Sequence, residues 1–149
     1  MAITLAQVVD AMETTLGAAV TVARSESYDE LTEGIHDLPM LQVYPEAGSQ
    51  DPAGGTERTS FQAGVRQTEF TIHADYYARQ RRDIGEDMNA LVAGIDALQD
   101  VLEAQDTKPY FGLDGIRGFR WSWQRVVFVY GDPQMGYVGA RFVVVVRVF

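Results

Sequence analysis

From Ile116 to Phe149 the sequence reads IRGFRWSWQRVVFVYGDPQMGYVGARFVVVVRVF. The segments Ile116 to Tyr130 and Tyr137 to Phe149 are rich in valine and aromatic residues, which favour extended chain. Between them, GDPQMG supplies the glycine, aspartate and proline that are typical of turns. We predict two long strands joined in a hairpin. In the second strand, the even-numbered residues from Val138 to Val148 share one face.

Two segments have the apolar spacing of amphipathic helices. The first is predicted from Thr4 to Val22, with Thr4 as its N-terminal cap. The second starts at Asp83, which forms a pattern like a capping box with Glu86, and extends to about Gln105. The apolar positions are Leu5, Val8, Val9, Met12, Leu16 and Val20 in the first helix, and Ile84, Met88, Leu91, Val92, Ile95, Leu98 and Leu102 in the second.

The region between the helices is predicted to hold two strands. A short strand runs from Met40 to Tyr44 and is closed by Pro45, and an alternating strand runs from Gly64 to Ala78. From Glu46 to Ser60, glycine, serine, aspartate and proline predominate, which indicates a long mobile loop. The acidic stretch from Arg24 to Leu38 indicates a loop with a short helical turn.

The order of these elements is αββαββ, and we predict one α+β domain spanning residues 1–149. Each helix has an apolar side to bury. We therefore expect a two-layer sandwich in which both helices cover one face of a four-stranded, mainly antiparallel sheet. The sequence leaves open which alternate residues of each strand face the helices.

The other sheet face is expected to carry apolar residues mixed with arginines, which is typical of the core of a protein interface. This mixture comprises Val143, Val145, Trp121, Trp123, Val127 and Val129 with Arg117, Arg125, Arg141 and Arg147. A basic corner before the second helix is either solvated or contacts the acidic part of a neighbouring copy. The candidate interface residues are Arg79, Arg81, Arg82, Arg117, Trp121, Trp123, Arg125, Arg141 and Arg147. Substituting Arg141 or Trp123 is expected to weaken assembly more than folding.

Negative charge is concentrated in the first part of the chain. The formal net charge is -9, and residues 1–57 hold ten acidic residues against one base, Arg24. A strongly negative surface repels phosphate, so we expect no specific binding of nucleic acid. No apolar run is long enough for a membrane span, and the first residues lack the basic start of a secretory signal.

Residue types that carry catalytic chemistry are scarce. The chain has no cysteine, a single lysine at Lys108, two histidines, and no phosphate-binding or dinucleotide-binding glycine motif. Glu69, His73 and Asp75 share one face of a strand, where His73 and Asp75, two residues apart, are spaced so that both could reach one metal ion. The same triplet is typical of a solvated strand face, and we prefer that interpretation. We expect no catalytic residue, no cofactor and no metal site.

Several features follow one another in a recognisable order. After the first helix come the proline-bounded strand LPMLQVYP (Leu38 to Pro45) and the alternating strand RQTEFTIHADYY (Arg66 to Tyr77). A central helix and the final strand YVGARFVVV (Tyr137 to Val145) complete the series. This order, which covers nearly the whole chain, resembles the phage tail terminator, or tail-completion, family.

The resemblance implies a non-enzymatic structural protein of the virion. Members of that family form a ring, typically a hexamer, that caps the tail tube, ends its elongation and offers the surface on which the head docks. The implied partners are further copies of the chain, the tail tube protein and a head-completion or neck protein, with assembly in the host cytoplasm. An acidic surface lining the ring would let DNA slide through the lumen.

Two alternatives stay open at this point. The first is another ring-forming neck protein of the virion, such as a head-completion or connector protein, which contacts the portal side. The second is a cytoplasmic α+β ligand-binding module or enzyme that uses a pocket between its helices and sheet.

Overall fold

The computed structural model describes residues 3–20, 24–26, 39–50, 68–80, 84–130 and 135–148. Within these ranges lie two α-helices, a short 3-10 helix (Tyr110–Gly112) and five strands. The helices are α1 (Leu5–Ala19) and α2 (Ile84–Glu103), and the strands are β1 (Arg24–Glu26), β2 (Met40–Gln50), β3 (Thr68–Gln80), β4 (Ile116–Tyr130) and β5 (Met135–Val148). No helix in these ranges is both long and apolar enough to cross a membrane.

The strands form one sheet in the order β1-β2-β3-β5-β4. The four longer strands pair antiparallel, and β1 pairs parallel with the start of β2. The chain is therefore a mixed α+β protein with a four-stranded antiparallel sheet, as the sequence predicts, and a fifth short strand. β1 lies where we expected a loop with a helical turn. Three residues are too few to show alternation, and this strand is defined by its backbone pairing with residues 40–42.

Thr4 caps α1, which confirms the prediction from the sequence. The Thr4 hydroxyl accepts a hydrogen bond from the Gln7 backbone N–H at 3.2 Å, and the Gln7 side chain accepts one from the Thr4 N–H at 3.0 Å. This reciprocal pair satisfies two N–H groups that have no partner inside the helix. α1 ends at Ala19, earlier than Val22, because Val20 adopts an extended backbone. The predicted start of α2, Asp83, lies outside the described residues.

Pro45 does not end β2, contrary to our expectation. The strand continues to Gln50, with a bulge between Pro45 and Ala47 in its pairing with β3. Proline lacks a backbone N–H and is tolerated at bulges and on free strand edges. In the described part of the chain, β1 pairs only with residues 40–42, so Pro45 has no strand on that side. The loop predicted from Glu46 is thus wrong for residues 46–50, whereas residues 51–60 lie outside the described ranges.

One buried cluster joins both helices to the sheet. Its sheet residues occupy alternate positions of β2, β3 and β5 and include Val43, Ala74 and Phe142. α2 lies very close to β3 at Gly94, where an added Cβ would be 2.2 Å from the ring of Tyr76. We call the sheet face that carries these residues the core face and the opposite one the polar face. The buried helix residues are Val8, Val9, Met12 and Leu16 in α1, and Leu91, Ile95, Leu98 and Leu102 in α2.

Candidate subunit interface

The pairing of β4 with β5 places the tryptophans of β4 on the core face. Trp121 lies opposite Val144, and Trp123 lies opposite Phe142. Directly opposed residues of an antiparallel pair project to the same face, and both β5 partners are fully buried in the core. The expectation that the tryptophans share a face with Arg141 is therefore wrong.

The cause of this error is the register between β4 and β5, which the sequence does not show. Tyr130 pairs with Met135, so odd-numbered residues of β4 oppose even-numbered residues of β5. Changing the connection by one residue would reverse this relation, because side chains alternate along a strand with a period of two. The same register places Arg125 and Val127 on the core face and Arg120 on the polar face.

A buried ion pair joins three strands on the polar face. The side chain of Asp75 in β3 is 2% exposed, and it accepts hydrogen bonds at 2.9 and 3.1 Å from Arg141 of β5. The Tyr44 hydroxyl of β2 donates to the same carboxylate at 2.6 Å. The hydrogen bond to Asp75 raises the pKa of Arg141, and burial together with the neighbouring carboxylate raises the pKa of Tyr44. Both side chains therefore keep their protons at neutral pH and hold the Asp75 carboxylate.

A second group of charges lies further along the polar face. Nε of Arg147 is 3.0 Å from Oε1 of Glu69, and Nη1 of Arg120 is 3.6 Å from the same oxygen. The two β5 arginines that the sequence proposed for an interface, Arg141 and Arg147, are thus both bound to carboxylates of β3. Each of these ion pairs therefore links β5 to β3.

Glu69, His73 and Asp75 lie on the polar face, as their spacing predicts. The expectation that this face is solvated is wrong at these positions, because all three side chains are largely buried and both carboxylates pair with arginines. Nδ1 of His73 is buried without a hydrogen bond and lies 3.7 Å from Oε2 of Glu46. In the described part of the chain, no three His, Cys, Asp or Glu side chains are grouped so that they could hold a metal ion.

Exposed apolar side chains gather where α2 lies beside β4. Trp123 and Val127 of β4 are 41% and 39% exposed, and Val92 of α2 is 47% exposed. Monomeric proteins tolerate single exposed apolar residues, whereas a contiguous patch indicates a contact site. We call this surface the β4–α2 flank; it comprises Trp123, Arg125 and Val127 of β4, with Met88, Val92 and Gln99 of α2.

Polar contacts join the two sides of the flank. Trp123 donates from Nε1 to the side-chain oxygen of Gln99, and Nη1 of Arg125 lies 3.4 Å from the sulfur of Met88. Met88, Val92 and Gln99 are four and seven residues apart, so they lie on one side of α2. In the described part of the chain β4 pairs with β5 alone, and its other edge is open. The flank therefore combines apolar surface, an arginine and an unpaired strand edge.

The remaining candidate residues are scattered or lie outside the described ranges. Arg117 is exposed at the register shift between Ile116 and Gly118. Arg81, Arg82 and the side chain of Arg79 lie outside the described part of the chain, as does the side chain of Val129. The structure does not bring the described candidates together on one face.

The sequence reasoning missed the contacts of Tyr44 and Gln99, and it placed Val92 with the buried residues of α2 although its side chain is exposed. Val92 lies about 100° around the helix from its buried neighbour Leu91, which is a signal that a helical projection shows. Tyr44 was seen only as the end of a strand. Its contact with Asp75 depends on the pairing of β2 with β3, for which the sequence offers no local signal.

Comparison with known proteins adds no family assignment. A scan against protein-family models finds no family that matches the chain, and a search of the curated proteins finds no match.

Proposed function

We propose that this chain is a structural protein of a phage virion that forms a ring on the end of the tail tube. The ring ends elongation of the tube and offers the surface on which the head docks. The observation that carries this proposal is the β4–α2 flank, since exposed apolar and arginine side chains beside an open strand edge suit contact with another protein. The order of elements along the sequence, which resembles that of tail terminator proteins, supports the same role.

In this proposal both helices lie on the core face, so each subunit is a two-layer α+β sandwich. The shared buried cluster of α1, α2 and alternate strand residues supports this arrangement. The sheet edges then point sideways to neighbouring subunits. Repeated contacts between unlike surfaces close into a ring when their rotation closes, and a hexamer is the proposed state.

The proposed partners are the tail tube protein on one side of the ring and a head-completion or neck protein on the other. DNA passes through the lumen without specific recognition, in keeping with a net charge of -9. No catalysis, cofactor or metal takes part. The protein assembles in the host cytoplasm and resides in the virion neck.

Co-sedimentation with virion parts tests this function and separates it from the connector alternative. We expect the chain to sediment with purified tail tubes of the same virus and not with portal-bearing heads that lack tails. The variant Val127→Asp should lose binding to the tube. The control variant Asn89→Asp adds the same charge at an exposed position of α2 and should keep binding. Binding to the heads alone would identify a connector protein, and binding to neither would refute a neck role.

A further inference from the structure

β4 forms a long edge of the sheet that lacks the usual protection against a further strand. It has 15 residues, contains neither proline nor lysine, and shifts register with β5 only near its start, between Ile116 and Gly118. Natural proteins protect sheet edges with proline, lysine, bulges or very short strands. The opposite edge has such features, since Pro45 lies at a bulge of β2 and β1 has only three residues. In the described part of the chain, β4 is therefore the edge that is open to strand addition.

The middle of β4 extends beyond the helix layer. α2 packs chiefly against β3 and β5, and only its side chains reach Trp123 and Arg125. Residues 122–125 of β4 are consecutive and all exposed, so the strand is accessible from both faces of the sheet. This geometry leaves room on both faces for the side chains of a neighbouring strand.

We infer that β4 of one copy pairs antiparallel with β4 of a second copy about a two-fold axis at Trp123. One continuous sheet then runs through both copies. Trp123 is the midpoint of Ile116–Tyr130, so this register overlaps the two strands along their full length. The backbone N–H and C=O groups on the outer side of β4 gain partners along the strand. A two-fold contact uses the same surface on both copies, which a single edge strand provides.

The core-face side chains of β4 match across this axis. Trp123 meets its own copy, Phe119 lies opposite Val127 of the second copy, and Trp121 lies opposite Arg125 of the second copy. The exposed Trp123 and Val127 are thereby covered by apolar surface, and a guanidinium lies beside an indole ring. Facing apolar pairs and cation–π pairs both stabilise neighbouring strands.

The polar-face side chains are compatible with the same register. The exposed Ser122 lies opposite Gln124 of the second copy, and Arg120 lies opposite Val126. Arg120 keeps its contact with Glu69 on its own subunit, where Nη1 is 3.6 Å from the carboxylate oxygen. No arginine of β4 lies directly opposite an arginine on either face, so the pairing brings no like charges together at these positions.

A recess beside β4 gives the contact a shaped surface. Its volume is about 500 Å³, and its lining includes Asp106 and the aromatic rings of Phe119 and Trp121. Because these rings lie opposite Val127 and Arg125 of the second copy, both of those side chains enter the recess. Arg125 then lies beside the indole and near the exposed carboxylate of Asp106. The recess and the β4–α2 flank are two halves of one self-complementary surface.

This pairing does not depend on the proposed function, but it covers the same flank. While β4 is paired, Trp123 and Val127 are buried between two copies and cannot contact a tail tube. The dimer is therefore a storage form of the free chain, and binding to a tube requires the two copies to separate. Pairing also hides a long edge strand that favours aggregation when it is exposed.

Charge reversal at the recess tests the contact. The wild type should be a dimer by light scattering after size-exclusion chromatography. Arg125→Glu and Asp106→Arg each bring like charges together, so each should weaken dimerisation about tenfold, and the double variant should recover it. Asp10→Arg makes the same change as Asp106→Arg on exposed α1 and should leave dimerisation unchanged. Single variants that dimerise as tightly as the wild type, or a folded double variant that does not recover, would overturn the inference.

Cysteine cross-linking tests the register, because the chain has no cysteine of its own. Directly opposed residues of paired antiparallel strands have Cα atoms within disulfide range. A mixture of Ser122→Cys and Gln124→Cys should therefore oxidise to a mixed disulfide, whereas Asp10→Cys should not pair with either. Preferential self-pairing of Ser122→Cys or Gln124→Cys would place the axis elsewhere and overturn the inference, as would the absence of any product.

The cross-linked dimer also separates this inference from the proposed function. It should not bind tail tubes until the disulfide is reduced, and binding by the locked dimer would refute the storage role. A wild-type chain that stays monomeric at high concentration yet caps tubes would refute the pairing and keep the proposed function. A correctly cross-linked dimer whose reduced form never binds tubes would support the pairing and refute the tail role.

Discussion

Replacing Arg141 with leucine will lower the free energy of unfolding by about 3 kcal/mol. Arg141 supplies two of the three hydrogen bonds that the structure gives the Asp75 carboxylate, and that side chain is 2% exposed. The substitution leaves a buried carboxylate with only the Tyr44 hydroxyl as its donor. This result would reverse our sequence-based expectation that substitution of Arg141 affects assembly more than folding.

The expected loss of about 3 kcal/mol in Arg141→Leu follows from the burial of the Asp75 carboxylate. Removing one partner of a buried ion pair typically costs about 3 to 5 kcal/mol, because the other charge is left without compensation. Arg141 is 30% exposed, so water reaches the site after substitution and the lower end of that range applies. Replacing both charges removes the uncompensated carboxylate. The double variant Asp75→Leu/Arg141→Leu should therefore cost only about 1 to 2 kcal/mol, chiefly from the Tyr44 hydroxyl that loses its acceptor.

Urea unfolding at neutral pH, followed by circular dichroism, measures these differences. Arg147→Leu is the matched control: its partner Glu69 is more exposed and keeps Arg120 at 3.6 Å, so a loss of about 1 kcal/mol or less is expected. An Arg141→Leu variant that loses no more than this control would refute the argument. A double variant that is less stable than Arg141→Leu would refute it as well.

Three further predictions concern packing in the core, stability at alkaline pH and metal binding. Gly94→Ala should lower the free energy of unfolding by about 1 kcal/mol or more, because the added Cβ would clash with the Tyr76 ring. The cost of this overpacking exceeds the gain in helix propensity from glycine to alanine. An unchanged melting temperature would contradict this prediction. Folding raises the pKa of Tyr44 above its ordinary 10.0, so the unfolded chain loses this proton first and stability falls as the pH rises above about 10. The fall should be smaller in Tyr44→Phe, and equal urea midpoints for both proteins across that range would argue against this. Calorimetric titration with zinc, manganese or magnesium should give no heat beyond dilution, and binding that disappears in His73→Ala would reopen the metal-site interpretation.

Periodic segments were predictable from the sequence because their pattern repeats over many residues. The stripe of α1 and the alternation of β5 each extend across several turns or pleats, and Thr4 marks the helix start by its chemistry. Pro45 misled the prediction because its effect depends on whether a neighbouring strand needs the missing N–H. β1 was missed because three residues have no period and depend on a partner strand.

The candidate site was less predictable because it depends on relations between strands. The sequence indicates that Trp123 and Arg141 each belong to a face of a strand, but the register that separates their faces is known only from the pairing of Tyr130 with Met135. The bond between Arg141 and Asp75 joins residues 66 positions apart, and nothing in either local pattern indicates it. The exposed apolar side chains of β4, Trp123 and Val127, lie on a strand that the sequence marks by its tryptophans and arginines.

Electron microscopy of tail tubes polymerised with and without this protein tests the proposed role most directly. With the wild-type chain, tube ends should carry a closed ring and the tubes should stop growing once capped. With Val127→Asp, tube ends should be bare and elongation should continue as it does without the protein. Bare ends and unrestricted growth in the presence of folded wild-type chain at high concentration would contradict the account.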